Sequence, residues 1–204
     1  MKPAKLFPMF LKLAGRPCLV VGAGFIAESK ISGLLAAHAD VSVVALEVTP
    51  KIRSWADSHK IAWQQRHFQP GDLENMFLVV AATSSTVLHE EIFREATKRG
   101  VLCNIVDVPD LCDFYYPAVV QRGALQIAIS TSGHSPALAQ RLRKELERQF
   151  GPEYEQWLEK LGEIRGELLS KLDPEERKRR LHDQVSRKAF AAFLKKRSKS
   201  KRPR

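Results

Sequence analysis

The sequence has neither the long apolar runs of a membrane protein nor the many cysteines of a disulfide-stabilised one. Its longest stretch without a charged or strongly polar residue, Pro17–Ala27, falls well short of the ~20 residues that a transmembrane helix needs. Its three cysteines (Cys18, Cys103 and Cys112) form no CxxC pair and no Cys/His cluster with zinc spacing, so we expect neither a disulfide framework nor a metal site. With 11 glycines and 11 prolines, the sequence does not fit the collagen or low-complexity classes. Its apolar fraction of 44% is enough to bury a core.

The net charge of +10 is concentrated at the C-terminal end of the chain. Residues 171–204 contain 14 Lys and Arg against 4 Asp and Glu, whereas residues 1–170 contain 19 of each. Such a stretch repels itself, and we interpret residues 191–204 as a basic, disordered tail that keeps the protein in solution. Contact with nucleic acid or an acidic membrane surface is the alternative, but we expect neither as the partner.

The N-terminal segment resembles a secretory signal peptide only faintly. Pro8 and Lys12 interrupt its apolar stretch, and no small-residue cleavage site follows cleanly. Together with the unpaired cysteines, this favours a cytoplasmic protein.

Short apolar runs alternate with helical patterns over the first half of the chain, which predicts an α/β fold with a parallel, Rossmann-type sheet. The predicted strands are Cys18–Val21, Val41–Ala45, Ile61–Arg66, Phe77–Ala82 and Val101–Val106. The predicted helices are Ile26–His38, Pro50–His59 (capped by Thr49) and Val87–Arg99, which Gly100 ends.

The pattern changes after Asp107. Strands at Phe114–Gln121 and Leu125–Ser130 form a hairpin, and helices follow at Pro136–Phe150, at Tyr154–Leu172 and from Asp173 onward. We therefore predict a nucleotide-binding domain over 1–112, a β-hairpin and helix domain over 113–150, a helical C-terminal module over 151–190 and the tail. Because a lone hairpin is marginal in water, we expect the 113–150 domain to pair with a second copy, giving a homodimer.

A G-x-G-x-x-A motif follows the first predicted strand and opens the first helix. Gly22 permits the tight turn, Gly24 lets the backbone approach a pyrophosphate, and the small Ala27 lets the helix pack on the sheet. The N–H groups at the start of the helix then bind phosphate. The order of strand, turn, helix and second strand makes this a prediction of dinucleotide binding.

Glu47 follows the second strand, where an acidic residue holds the ribose hydroxyls of NAD. A carboxylate there favours NAD over NADP because it repels a 2′-phosphate. Lys51 and Arg53 are close enough to leave NADP open, and Glu47 also fits an ordinary surface position.

Two further segments reach the carboxyl edge of the sheet, where open α/β sheets bind ligands. Thr83, after the fourth strand, can line the cofactor site or belong to a helix cap. Asn104 and Asp107 end the fifth strand, with Asn104 a candidate substrate contact. A carboxylate at Asp107 can take a proton while hydride leaves for the cofactor, although Asp107-Val108-Pro109 also fits an ordinary turn.

The loop Ser130–Pro136 joins a strand to a helix and is rich in hydroxyl groups. Ser135 caps the helix, while Thr131 and His134 are more open, so the loop can hold an anionic group of a substrate. We name Thr131, His134 and Ser135 as candidate substrate-binding residues, with a solvated His134 as the alternative.

Several segments together resemble the precorrin-2 dehydrogenases, the dehydrogenase and ferrochelatase module of siroheme synthase. The matching segments span about residues 5–150 and are Leu6–Lys30, Val43–Glu47, Ala81–Thr83, Cys103–Asp107 and Ile129–Pro136. The chain departs from the family's pattern at Ser84, Ser85 and His89, and carries Thr131 where some members have serine.

The resemblance implies a Rossmann domain, a dimerisation domain that exchanges its hairpin, and a helical module. It implies NAD-dependent oxidation of precorrin-2, a polycarboxylate tetrapyrrole, to sirohydrochlorin for siroheme or cobalamin. It also implies cofactor contacts at Phe25, Ile26, Leu46 and Glu47 and a catalytic aspartate at Asp107. A bifunctional enzyme that also inserts ferrous or cobaltous ion is one alternative, and a regulatory module that binds NAD without chemistry is another.

Overall fold

The computed structural model describes residues 5–200, which divide into two compact units. The first unit ends at Tyr115 and the second begins at Tyr116. In the described part of the chain, no helix is both long and apolar enough to cross a membrane.

The first unit contains a five-stranded sheet whose pairings are all parallel, as the alternating pattern predicts. The strands are β1 (Pro17–Val21), β2 (Asp40–Val44), β3 (Ala62–Gln64), β4 (Leu78–Ala81) and β5 (Leu102–Ile105). They lie in the order β3-β2-β1-β4-β5. From β1 the chain adds β2 and β3 on one side, and then returns to add β4 and β5 on the other. Open α/β sheets form their binding crevice at such a switch point, here between β1 and β4.

Helices cover both faces of this sheet, so its central strands are buried on both sides. The helices are α1 (Phe25–Ala36), α2 (Pro50–Asp57) and α3 (Thr86–Arg99). On one face Cys18 and Val20 pack into a cluster with α1 and α2, and on the other Leu19 and Val21 pack with α3. The predicted caps are present: Thr49 Oγ1 accepts the Ile52 N–H (3.3 Å), and α3 ends at Gly100 with φ 68°.

The second unit opens with an antiparallel hairpin. Strands β6 (Ala118–Arg122) and β7 (Leu125–Ile129) pair from Ala118 with Ile129 to Arg122 with Leu125, leaving Gly123 and Ala124 as the turn. Gly123 has φ 54°, a left-handed conformation that suits glycine. The first strand begins four residues later than predicted, because Pro117 has no N–H to donate to a ladder.

Four helices complete the second unit, namely α4 (Pro136–Gln149), α5 (Glu153–Lys171), α6 (Pro174–Gln184) and α7 (Arg187–Ser200). The Arg122 guanidinium joins the hairpin to the end of α4 by donating to the carbonyls of Phe150 (2.9 Å) and Glu147 (3.1 Å). In α7, the Phe193 ring lies 5.0 Å from that of Trp157 in α5.

The structure differs from the predicted tail, since residues 191–200 belong to α7. The aromatic contacts of Phe190 and Phe193 with α5 give this basic helix an apolar face to bury. Residues 201–204 of the predicted tail lie outside the described residues.

Candidate functional site

An open cleft of about 980 Å³ lies at the carboxyl edge of the sheet in the first unit. The loops after β1, β2, β4 and β5 all line it, together with the residues after β3 and the first turn of α3. Its volume is within the range of small-molecule and cofactor sites.

The glycine turn after β1 forms one wall of the cleft. Gly22 has φ 89°, and a Cβ there would stand 2.4 Å from the Ala82 carbonyl oxygen of the loop after β4. The Gly22 N–H donates to the Val44 carbonyl (3.0 Å), which ties the turn to β2 as well. A Cβ on Gly24 would meet nothing within 4 Å, so this residue faces open space at the start of α1.

The two glycines and Ala27 therefore stand in different surroundings. Gly24 leaves the backbone accessible where α1 begins, and a phosphate can approach it. Ala27 is fully buried in the core beneath and does not line the cleft. Its small side chain lets α1 pack close to the sheet.

Apolar side chains stand exposed around the cleft. Phe25 is 83% exposed, Ile26 55% and Leu46 48%, and Val87 at the start of α3 is 76% exposed. A group of exposed apolar side chains beside a concave surface is characteristic of a ligand site. These residues can cover the flat ring systems of a dinucleotide.

Charged side chains line the β2 and β3 side of the cleft. Glu47 is exposed there, and Arg66 lies on the same side after β3. The Arg66 guanidinium donates to both carboxylate oxygens of Asp72, at 2.9 Å and 2.5 Å. Burial raises the pKa of Asp72, but hydrogen bonds from Arg66 and the Gln69 N–H outweigh it and hold that pKa below its ordinary value. Arg66 is therefore already engaged within the protein.

Thr83 lines the cleft after β4. Its Oγ1 accepts the Ser85 N–H (3.3 Å), and its carbonyl accepts a hydrogen bond from Nε2 of the buried His89 (2.8 Å). Ser85 in turn caps α3 by accepting the Leu88 N–H (3.4 Å). His89, on α3, thus holds the Thr83 loop in place.

Asp107 lines the same cleft as the glycine turn. It is the third residue of a turn closed by the Val108 N–H and the Ile105 carbonyl (3.2 Å), and its φ is 63°. Left-handed backbone is uncommon for residues other than glycine, although aspartate and asparagine adopt it more readily than most, and such conformations cluster at functional sites. On α1, burial lowers the pKa of Lys30, while the nearby Asp107 charge opposes that shift.

Asn104 does not line the cleft. It is buried, and its Nδ2 donates to the Phe114 carbonyl (2.7 Å), so its side chain holds the chain that returns after β5.

In the second unit, the loop between β7 and α4 is tied by its own hydrogen bonds. Thr131 Oγ1 accepts the Ser135 N–H (3.2 Å), and the Thr131 carbonyl accepts the His134 N–H (2.9 Å). Ser135 Oγ accepts the Leu138 N–H (3.2 Å) and caps α4 as predicted, while the His134 side chain is exposed.

Sequence reasoning did not select Arg66, His67, Glu91 or the supporting His89. The available signal was that Arg66 ends the predicted third strand and His67 follows it, because that strand also ends at the ligand-binding edge. Among the described residues, no group of three or more His, Cys, Asp or Glu side chains is placed to hold a metal ion.

Comparison with known proteins assigns the first unit. Residues 9–118, more than half of the chain, match the family described as "Putative NAD(P)-binding". The chain belongs to this NAD(P)-binding family. Residues 122–149 match a second family, the central domain of sirohaem biosynthesis proteins. The open glycine turn and the apolar walls of the cleft fit the nicotinamide dinucleotide that the NAD(P)-binding family takes.

Relatives of this chain include siroheme synthases. It is 36% identical to siroheme synthase 1 of Serratia proteamaculans, over 92% of this chain and 39% of the relative. It is 38% identical to the siroheme synthase of Neisseria meningitidis, over 94% of this chain and 40% of the relative. The chain thus spans about two fifths of the length of these curated relatives.

A solved structure, "SirC, precorrin-2 dehydrogenase", is similar over nearly the whole chain. The TM-score is 0.82 at 29% identity, covering 95% of this chain and 96% of that one. The Rossmann-type sheet, the small hairpin and the helical C-terminal part predicted from the sequence are confirmed, as is the resemblance to this family.

Proposed function

We propose that the protein catalyses the NAD-dependent dehydrogenation of precorrin-2 to sirohydrochlorin, a step of siroheme biosynthesis. The observation that carries this proposal is the joint placement of the glycine turn and the Asp107 carboxylate on one cleft. The relatives are siroheme synthases, and the similar solved structure is a precorrin-2 dehydrogenase, which supports the same substrate.

The glycine turn and the start of α1 hold the pyrophosphate of the cofactor. Gly24 lets it approach the backbone, and the N–H groups of the first turn of α1 point toward negative charge. Phe25, Ile26 and Leu46 cover the apolar faces of the cofactor. Thr83 lines the same cleft, on a loop that His89 holds in place.

Asp107 is the catalytic base in this proposal. Bound NAD supplies the hydride acceptor. Removing hydrogen from the substrate also releases a proton, and the carboxylate of Asp107 at the cleft takes it. The products are then sirohydrochlorin, NADH and one proton, so that atoms and electrons balance.

Glu47 makes NAD the preferred cofactor. Its exposed carboxylate at the end of β2 can accept hydrogen bonds from the ribose hydroxyls and would repel a 2′-phosphate. Arg66 lines the same side, but its guanidinium already donates to both carboxylate oxygens of Asp72. It therefore does not offer the paired N–H donors that would bind a 2′-phosphate.

The loop before α4 contributes to binding the substrate. Precorrin-2 carries many carboxylates, and the start of α4 presents N–H groups to negative charge. His134 is exposed there, and the Thr131 hydroxyl keeps its own hydrogen for donation while its oxygen accepts the Ser135 N–H. Ser135 acts by capping the helix.

The protein acts as a homodimer in the cytoplasm. In the described residues, β6 and β7 pair only with each other, so the outer edge of each strand can pair with a second copy. Val119 in β6 is 38% exposed and adds apolar surface to the hairpin. Sedimentation equilibrium should give twice the chain mass, and a monomer at micromolar concentration would contradict the dimer.

The free cysteines support the cytoplasmic location. All three are free thiols, as in proteins of reducing compartments.

Anaerobic incubation with precorrin-2 tests the proposed activity. With NAD, the near-ultraviolet band of NADH should grow as the tetrapyrrole spectrum changes, and with NADP the reaction should be slower. A protein that binds NAD but leaves precorrin-2 unchanged would be a regulatory module.

A further inference from the structure

The segment that carries Asp107 is a short loop whose two ends are fastened together. At its base the Asp113 carboxylate accepts the Cys103 N–H (2.9 Å), and the Asp113 N–H donates to the Cys103 carbonyl (2.8 Å). Asn104 and Cys112 form an antiparallel bridge one step further in. The loop between them contains the turn at Asp107 and a 3₁₀ turn at Pro109–Leu111.

The Cys112 thiol reaches from this base into the loop. Its Sγ lies 3.1 Å from the Ile105 carbonyl oxygen and 3.3 Å from the Val108 carbonyl oxygen, so one S–H is shared between two acceptors. On its other side the sulfur accepts from Asn104 Nδ2 (3.5 Å). The two carbonyls stand on either side of the Val106–Asp107 pair, which forms the corner of the turn.

We propose that Cys112 is a positioning residue for Asp107: its thiol holds the Ile105 and Val108 carbonyls and thereby fixes the left-handed backbone that keeps the Asp107 carboxylate at the cleft. The effect on catalysis rests on the proposed function, whereas the claim that Cys112 fixes the backbone of this turn does not. Aspartate tolerates a φ of 63° better than most residues, but that conformation is still uncommon, and contacts on both sides of the turn favour it.

The chemical state of the thiol suits this role. Burial raises the pKa of Cys112, and the nearby Asp113 charge adds to the effect, while the Lys30 charge opposes it with less weight. The sulfur therefore keeps its proton at neutral pH and acts as a donor rather than as a nucleophile.

Three variants of the full chain test the inference by activity. Cys112→Ala removes the donor and should lower kcat by about 10-fold to 100-fold, with the KM for NAD little changed, because a shift of about 1 Å at a reacting group costs that much. Cys112→Ser keeps an O–H donor and should recover most of the lost kcat. Cys18→Ala is the matched control, since Cys18 is also a buried thiol that donates to a carbonyl, that of Arg16 (3.5 Å), but in β1.

Hydrogen exchange tests the structural claim without any turnover. The Val108 and Leu111 amides close the two turns of the loop, and both should exchange at least about 10-fold faster in Cys112→Ala, as expected when local opening becomes easier. Cys112→Ser and Cys18→Ala should leave them near the wild-type rates. Unchanged exchange rates of the two amides in Cys112→Ala, or an equal acceleration in Cys18→Ala, would overturn the inference. If the wild type does not turn over precorrin-2, the proposed function falls and exchange alone decides this one.

Discussion

Gly22 lies so close to Ala82 that a Cβ on the glycine would stand 2.4 Å from the Ala82 carbonyl oxygen. This contact brings together the loops after β1 and β4, the two neighbouring strands between which the order of the sheet reverses. It also separates the roles of the two glycines of the motif, because Gly24 has open space where its Cβ would be.

Gly22→Ala should destabilise the protein, whereas Gly24→Ala should mainly weaken cofactor binding. The first adds a backbone collision to a φ of 89° and should cost about 1–3 kcal/mol of unfolding free energy. The second places a methyl group where the pyrophosphate approaches. Urea denaturation and calorimetric titration with NAD measure the two effects. Equal loss of stability in both variants would contradict the assigned roles.

Asp107→Asn should abolish most turnover while leaving the fold and NAD affinity intact. Asparagine tolerates left-handed backbone, so this variant removes the charge and keeps the turn. Loss of a general base lowers rates by about 10²–10⁴-fold. Anaerobic kinetics with precorrin-2 and a parallel NAD titration measure the outcome, with Asp110→Asn, in the following 3₁₀ turn, as the control. A variant with wild-type kcat would mean that another group takes the proton.

Glu47→Gln should weaken NAD binding and leave NADP binding unchanged or improved. The substitution removes the charge that repels a 2′-phosphate and weakens the bonds to the ribose hydroxyls. The ratio of the two dissociation constants is the measurement, and Glu90→Gln on α3 is a control outside the cleft lining. An equal change for both cofactors would exclude the ribose role.

The buried thiols should make the protein less stable at alkaline pH. Burial, which the charge of Asp40 reinforces at Cys18 and that of Asp113 at Cys103, raises the pKa of Cys18 to about 11 and that of Cys103 to about 12. The unfolded chain loses these thiol protons at lower pH than the folded protein does. The contribution of the protonated thiols to the free energy of unfolding is therefore complete below about pH 9 and is lost as pH rises toward 11–12.

Urea denaturation between pH 8 and pH 11 measures this loss, which amounts to about 1.4 kcal/mol per pH unit for each thiol. The Cys18→Ala, Cys103→Ala double variant should be less stable at pH 8 but fall less steeply. Parallel slopes for the two proteins would contradict the assignment to these thiols.

The first unit could be predicted from the sequence because its signals are local. Runs of Val, Ile and Leu mark the strands, and the cap at Thr49 stands next to the helix it starts. The glycine motif, Glu47 and Asp107 could be placed at one edge because parallel strands end at the same side of a sheet.

Other parts of the site depend on contacts between distant segments. The bond from His89 to the Thr83 carbonyl, and that from Cys112 across the Asp107 turn, arise only when a helix or a returning chain folds back. The helical state of residues 191–200 likewise depends on Phe190 and Phe193 meeting Trp157, whereas composition alone indicated a solvated tail.

The most direct test of the central claim is the stoichiometry of a single anaerobic reaction followed by its full absorption spectrum. With excess NAD, the wild-type protein should form one NADH for each precorrin-2 that becomes sirohydrochlorin. Saturable binding of NAD with no change in either spectrum would contradict the claim that this cleft carries out dehydrogenation.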